Sequence, residues 1–122
     1  MPKVEVSVGE LLDKYSILTL KEKFLAQISK ANNVRNEKQS LQNESEKYIE
    51  VATVKEWYDE LMEVNLKIWN GMDEIFKIGN SPNSDFEKIT RLVTNWNMER
   101  SFIKKKINLE CKSELTEEKS YF

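Results

Sequence analysis

Apolar residues recur along most of the chain at three-, four- and seven-residue intervals, the spacing that lines one face of an α-helix. Val8, Leu11, Leu12, Tyr15, Leu18, Leu25 and Ile28 form a first stripe, widened by Ile17, Leu20, Phe24 and Ala31. Asn32-Asn33 marks a break. Residues 34–51 are mostly polar, with Val34, Leu41, Tyr48 and Ile49 at helical spacing, as in an outer, poorly buried helix. Val54, Trp57, Leu61, Val64, Ile68 and Ile75 then carry a seven-residue repeat. Met62, Leu66, Trp69, Met72 and Phe76 thicken its apolar arc, and Gly71 lies on its inner seam. A glycine there costs about 1 kcal/mol against Ala, which predicts a close approach or room for a Trp. Phe86, Ile89, Val93, Trp96, Arg100, Ile103 and Ile107 make the last stripe.

Three hydroxyl-x-x-Glu patterns, Ser7–Glu10, Thr53–Glu56 and Ser84–Glu87, stand where these stripes begin. In such a capping box the hydroxyl and the carboxylate each accept an otherwise unpaired backbone N–H. Gly79-Asn-Ser-Pro82 closes the third stripe, since Gly suits a helix cap and Pro cannot continue the helix. The pattern predicts helices over 8–31, 34–51, 54–79 and 85–110, with an irregular tail over 112–122. Val4, Val6 and Val8 alternate with polar residues as in a short extended segment. Short turns favour antiparallel neighbours. The expected fold is all-α: one domain over 1–122, an antiparallel up-down helical bundle with coiled-coil character. Three long helices and a more exposed one make it up. So many apolar positions in one small domain point to a homodimer. Tyr121 or Phe122 is expected to pack the tail onto the bundle or a dimer mate.

Composition removes more chemistry than it suggests. The 122 residues contain no His and a single Cys, Cys111. Imidazole acid–base catalysis, His-ligated metals, an intramolecular disulfide and a multi-Cys zinc site are excluded. Nineteen Lys and Arg against 21 Asp and Glu, a formal charge of −2, do not fit a dedicated nucleic-acid binder. Lys104-Lys105-Lys106 reads as a solvated helix face. No segment reaches the length of a signal peptide or a membrane span, so a cytoplasmic protein with a reduced, inert Cys111 is expected. Asn43-Glu-Ser45 matches a glycosylation sequon by chance.

Candidate chemistry is sparse. Ser101-x-x-Lys104 has the serine–lysine spacing of penicillin-interacting enzymes, without their other elements. Glu56, Asp59, Glu60 and Glu63 suggest one half of a carboxylate magnesium site, but residues 85–110 lack the facing Glu-x-x-Asp. No cofactor and no metal are expected. Arg100 is the most informative residue, because a guanidinium on a core stripe needs an anionic partner. Antiparallel packing sets it level with Val64 and Asn65, within reach of Asp13, Glu22 or Glu63. Asn65 and Asn108 lie beside apolar stripes as candidate interhelical polar contacts. Trp57, Trp69 and Trp96 read as core or interface filler.

Val4-Glu-Val-Ser-Val-Gly-Glu-Leu-Leu-Asp-Lys14, Lys21, Asn65-Leu-Lys-Ile-Trp69, Asn97-x-x-Arg100-x-x-x-Lys104 and Glu117-Glu-Lys-Ser-Tyr121 resemble an uncharacterised family of small helical proteins. Members come from marine and other bacteria and their phages, some near sugar-transfer or tetratricopeptide-repeat proteins. The resemblance implies no activity, but it singles out Glu10, Asp13, Lys14, Lys21, Arg100 and Lys104. Gly71-Met72-Asp73 departs from the more acidic pair expected there.

Two functional expectations follow. The first is a non-enzymatic interaction or assembly module that dimerises and docks an unidentified protein. The second is a small-anion or sugar-phosphate binder, an enzyme in one version, using Lys14, Lys21, Arg100 and Lys104. Glu10, Asp13, Glu22, Glu63 and Asn65 are their candidate polar partners. The second requires those four cations to converge on one pocket.

Overall fold

Ser7 starts the first helix as its sequence implies. The Ser7 backbone is extended, and its Oγ accepts the Glu10 N–H at 3.1 Å. The computed structural model describes residues 4–25, 31–79 and 84–112. Among these, four helices and no strand occur: α1 (Val8–Phe24), α2 (Ala31–Ile49), α3 (Ala52–Ile78) and α4 (Ser84–Glu110). Residues 4–7 are irregular, with Val4 and Val6 exposed. The expected packing of the tail lies outside the described residues. So do Ile28 and the side chain of Ser84.

Six boundaries differ from expectation, and three have an instructive physical reason. α1 ends at Phe24 rather than 31, where the Leu25 N–H donates to the Lys21 carbonyl. The break falls before Asn32-Asn33, which lie in the first turn of α2. Asparagine serves helix starts and loops alike, so its presence did not say on which side the chain turns. α3 starts at Ala52, ahead of its predicted Thr53 cap. Val51 is the cap residue, extended and without a side-chain cap bond. The Val51 N–H already donates to the Tyr48 carbonyl, and the Lys55 N–H to the Val51 carbonyl. This corner is so tight that Thr53 falls inside the helix. Hence Ser7→Ala should cost about 1 kcal/mol in urea denaturation and Thr53→Ala only a few tenths. Equal losses would show that Thr53 caps after all.

α3 and α4, 27 residues each, form an antiparallel hairpin about 40 Å long. Gly71 faces α4 in a tight contact. A Cβ there would stand 2.6 Å from Val93 Cγ2 and 3.0 Å from Trp96 Cζ3, so the indole takes the predicted space. α1 lies along the hairpin, parallel to α3 and antiparallel to α4. Leu12, Tyr15, Val54, Tyr58, Leu61, Val64, Ile103 and Ile107 make the shared core. α2 returns along the outside of α1, the more exposed helix, with Leu41, Tyr48 and Ile49 packed against the core and polar contacts beside them. Lys14 Nζ is 3.6 Å from Glu37 Oε1, and Lys38 Nζ donates to Glu22 at 3.3 Å while lying over the Tyr15 ring.

α1 is much shorter than the hairpin. Its last residue, Phe24, stacks on Trp69 with ring centroids 5.5 Å apart. Beyond that level α3 continues to Ile78, opposite the first turns of α4. The exposure of Met72 and Phe76 follows from this mismatch in length.

Candidate functional site

A carboxylate sits where no water reaches. Asp13, on the α1 face between Leu12 and Tyr15, is 1% exposed. It needs donors, because an unpaired buried carboxylate costs several kcal/mol. Two other helices supply them. Arg100 Nε donates to both Asp13 oxygens, at 3.0 and 3.1 Å, and its Nη2 bonds Oδ2. Asn65 Nδ2 donates to Asp13 Oδ1 at 2.9 Å and to Ser16 Oγ at 2.8 Å. Ser16 in turn donates to the Asp13 carbonyl at 2.6 Å. One turn along α4, Lys104 Nζ donates to Glu10 at 2.8 Å and stands 3.6 Å from Asp13 Oδ2. Lys104 therefore joins two carboxylates of α1.

The seam continues to the start of α1. The Gly9 N–H donates to Asn108 Oδ1 at 2.7 Å, so α4 satisfies a backbone group that the first helical turn leaves unpaired. Contact is tight: a Cβ on Gly9 would stand 2.4 Å from the Lys104 carbonyl oxygen and 3.0 Å from Asn108 Oδ1. Asn65, Asn108 and Lys104 are all buried.

Of the three anions in reach of Arg100, the structure selects Asp13. Glu22 instead meets Lys38 of α2, and Glu63 stands 3.8 Å from Lys67 on its own helix. The four candidate cations do not converge. Arg100 and Lys104 meet around Asp13, whereas exposed Lys14 turns to Glu37. Lys21 sits eight residues beyond Asp13, about 12 Å further along α1. The basic triplet also divides: Lys105 is exposed, while Lys104 is buried.

Sequence reasoning missed Ser16 and Gly9. Both were legible as small residues on Asp13's side of the stripe, three residues after it and four before. A purely apolar count overlooks that signal.

Among the described residues, open clefts flank α1. One, of about 450 Å³, is lined by Ile17, Leu20, Trp69, Met72 and Phe76, with Arg100 and Asn65 also on its wall. The other, of about 640 Å³, lies between α1, α2 and α3 and mixes Leu20, Met62 and Leu66 with Glu22, Lys23, Arg35 and Glu63. No group of three or more Asp, Glu or Cys suited to a metal occurs among the described residues. Burial raises the Cys111 thiol above its ordinary pKa, which lowers its reactivity at neutral pH. Burial also pushes the Tyr58 phenol up to about 12, against a lowering hydrogen bond with Thr19.

Fold and seam together define an all-α bundle in which Asp13, Asn65, Arg100 and Lys104 join three helices, while Ser45 Oγ and Asn108 Nδ2 are buried without a partner among the described residues. Comparison with protein families, characterised proteins and solved structures finds no match to this chain. No helix among the described residues is long and apolar enough to cross a membrane.

Proposed function

We propose that this protein is a non-enzymatic helical interaction module of the cytoplasm that self-associates and docks other proteins through apolar helix surfaces. One observation carries the reading: interior charge is matched within the chain, while large apolar side chains stand outside. In the seam two carboxylates, Glu10 and Asp13, meet two cations, Lys104 and Arg100. Among the described residues such a set is neutral, two charges of each sign. Meanwhile Phe76 is 86% exposed, and α4 presents Met98, Phe102 and Leu109 to solvent. Where such groups lie together they mark interaction sites.

The test is light scattering on the full chain across a concentration series. A mass rising from 14.4 kDa toward twice that value is expected. A strict monomer at every concentration, with no binding of an apolar dye, would overturn the reading.

A further inference from the structure

We infer that α2 is a strap that lifts off and unwinds by itself while α1, α3 and α4 stay folded, with buried Ser45 as its built-in weak point. Such an opening is internal to one chain and independent of self-association.

Burial is unequal among the four helices. Of residues 32–49 in α2, Ser45 alone is buried. Leu41, Tyr48 and Ile49 reach the core but are only partly covered. The other helices bury large apolar side chains fully, Leu12 on α1, Leu61 on α3 and Ile107 on α4. Covered apolar area is what resists opening, so α2 resists it least.

The one side chain that α2 does bury favours release. Ser45 is fully enclosed, and its Oγ has no hydrogen-bond partner among the described residues. Closing α2 strips this hydroxyl of water without a replacement bond, and opening restores its bonds to water. Ser16 of α1, equally buried, shows the contrast: its Oγ donates to the Asp13 carbonyl at 2.6 Å.

The charged ties between α1 and α2 are of the weak kind. Lys14–Glu37 and Lys38–Glu22 stand at 3.6 and 3.3 Å, and both members of the first pair are more than half exposed. Pairs in water contribute little and are screened by salt. α1 has firmer holds elsewhere. Gly9, Glu10 and Asp13 bond Asn108, Lys104 and Arg100 of α4, and Asn65 of α3 bonds Asp13 and Ser16. None of these bonds involves α2, so its departure leaves the seam intact. It also uncovers the flank of α1 that carries Tyr15, buried beneath Lys38.

Detachment brings unwinding with it. Asn32, Asn33, Asn36, Ser40, Asn43 and Ser45 are poor helix formers within a 19-residue helix. A helix of that length and composition does not hold in water without a surface to lie on. Opening therefore frees its backbone N–H groups to exchange with solvent.

Native-state hydrogen exchange on the full chain, read residue by residue, tests this. Amides from Gln39 to Lys47 should exchange at least about a hundredfold faster than those of Leu12, Leu61 and Ile107, each relative to the unfolded chain. Ser45→Ala should slow exchange in α2 about tenfold, as removal of one unpaired buried hydroxyl implies. Ser40→Ala, on the exposed face of the same helix, should slow it only about twofold through helix propensity. Val93→Ala, at the Gly71 contact of the hairpin, should speed the Leu61 and Ile107 amides about tenfold and leave α2 unchanged. α2 amides as slow as those of the core, or accelerated together with them by Val93→Ala, overturn independent opening. Exchange in Ser45→Ala no slower than in Ser40→Ala overturns the part given to Ser45.

Discussion

Arg100→Met should lower the stability of the folded chain by about 3–5 kcal/mol, one of the two largest losses expected from a single substitution here. Methionine keeps much of the stem's packing, so the loss reports the guanidinium. Asp13, 1% exposed beside Arg100, keeps only Asn65 as a described donor at hydrogen-bond distance, with Lys104 Nζ at 3.6 Å. The reverse deletion should cost less. In Asp13→Asn the cation that loses its carboxylate is Arg100, whose side chain is 28% exposed and can turn its head outward. About 1–3 kcal/mol is expected, the range for a disrupted polar contact with access to solvent. Combining Arg100→Met with Asp13→Asn should recover part of the first loss, because no buried charge then lacks its partner. Urea denaturation of the four proteins gives the cycle. Equal single losses would show that both ends are equally solvated, and an additive double variant would show that they do not interact.

Gly9→Ala should be comparably severe, at about 3 kcal/mol or more, although it adds one methyl group. The new Cβ would lie 2.4 Å from the Lys104 carbonyl oxygen, a backbone atom held in a helix. α1 must move away from α4, which stretches the Gly9–Asn108 bond and separates Glu10 and Asp13 from their cations. Overpacking of this kind costs about 1–3 kcal/mol before such bonds are counted. Gly71→Ala provides the comparison. Its contacts are side chains, Val93 and Trp96, which can shift, and helix propensity returns about 1 kcal/mol. Thermal melts should therefore rank Gly9→Ala well below Gly71→Ala. The opposite order would mean that α1 can slide on α4 without loss.

Much of the architecture was legible because helical periodicity is a local property. Stripes on α1, α3 and α4, the Ser7 cap and the room left by Gly71 for Trp96 each depend on residues within a few turns. The α2 stretch was legible as an outer helix for the same reason, since its polar composition permits little burial. Thr53 shows the limit. A capping box is a statement about four residues, but where a helix starts also depends on how tightly the preceding corner folds.

The candidate site was legible in part. Placing Arg100 on a core stripe established that it needs an anion, and helix register narrowed the choice to Asp13, Glu22 and Glu63. Choosing among these required knowing which way each helix is rotated, a quantity set by packing of the whole core. Lys104 was misread for that reason. In sequence it is one of three consecutive lysines and looks solvated, yet α1 lies across it and supplies Glu10 and Asp13. A lysine on a helix has no character apart from the helix that covers it.

By itself the sequence determined the number of helices, most of their faces and the absence of imidazole and disulfide chemistry. These follow from residue type and spacing alone. Tertiary structure alone decided that Asp13 and Glu10 of α1 meet Arg100 and Lys104 of α4. It also decided that α1 stops short of the hairpin it covers, leaving Met72 and Phe76 in water. Both outcomes depend on distances between residues far apart in the chain, such as Asp13 and Arg100, and local periodicity carries no information about those.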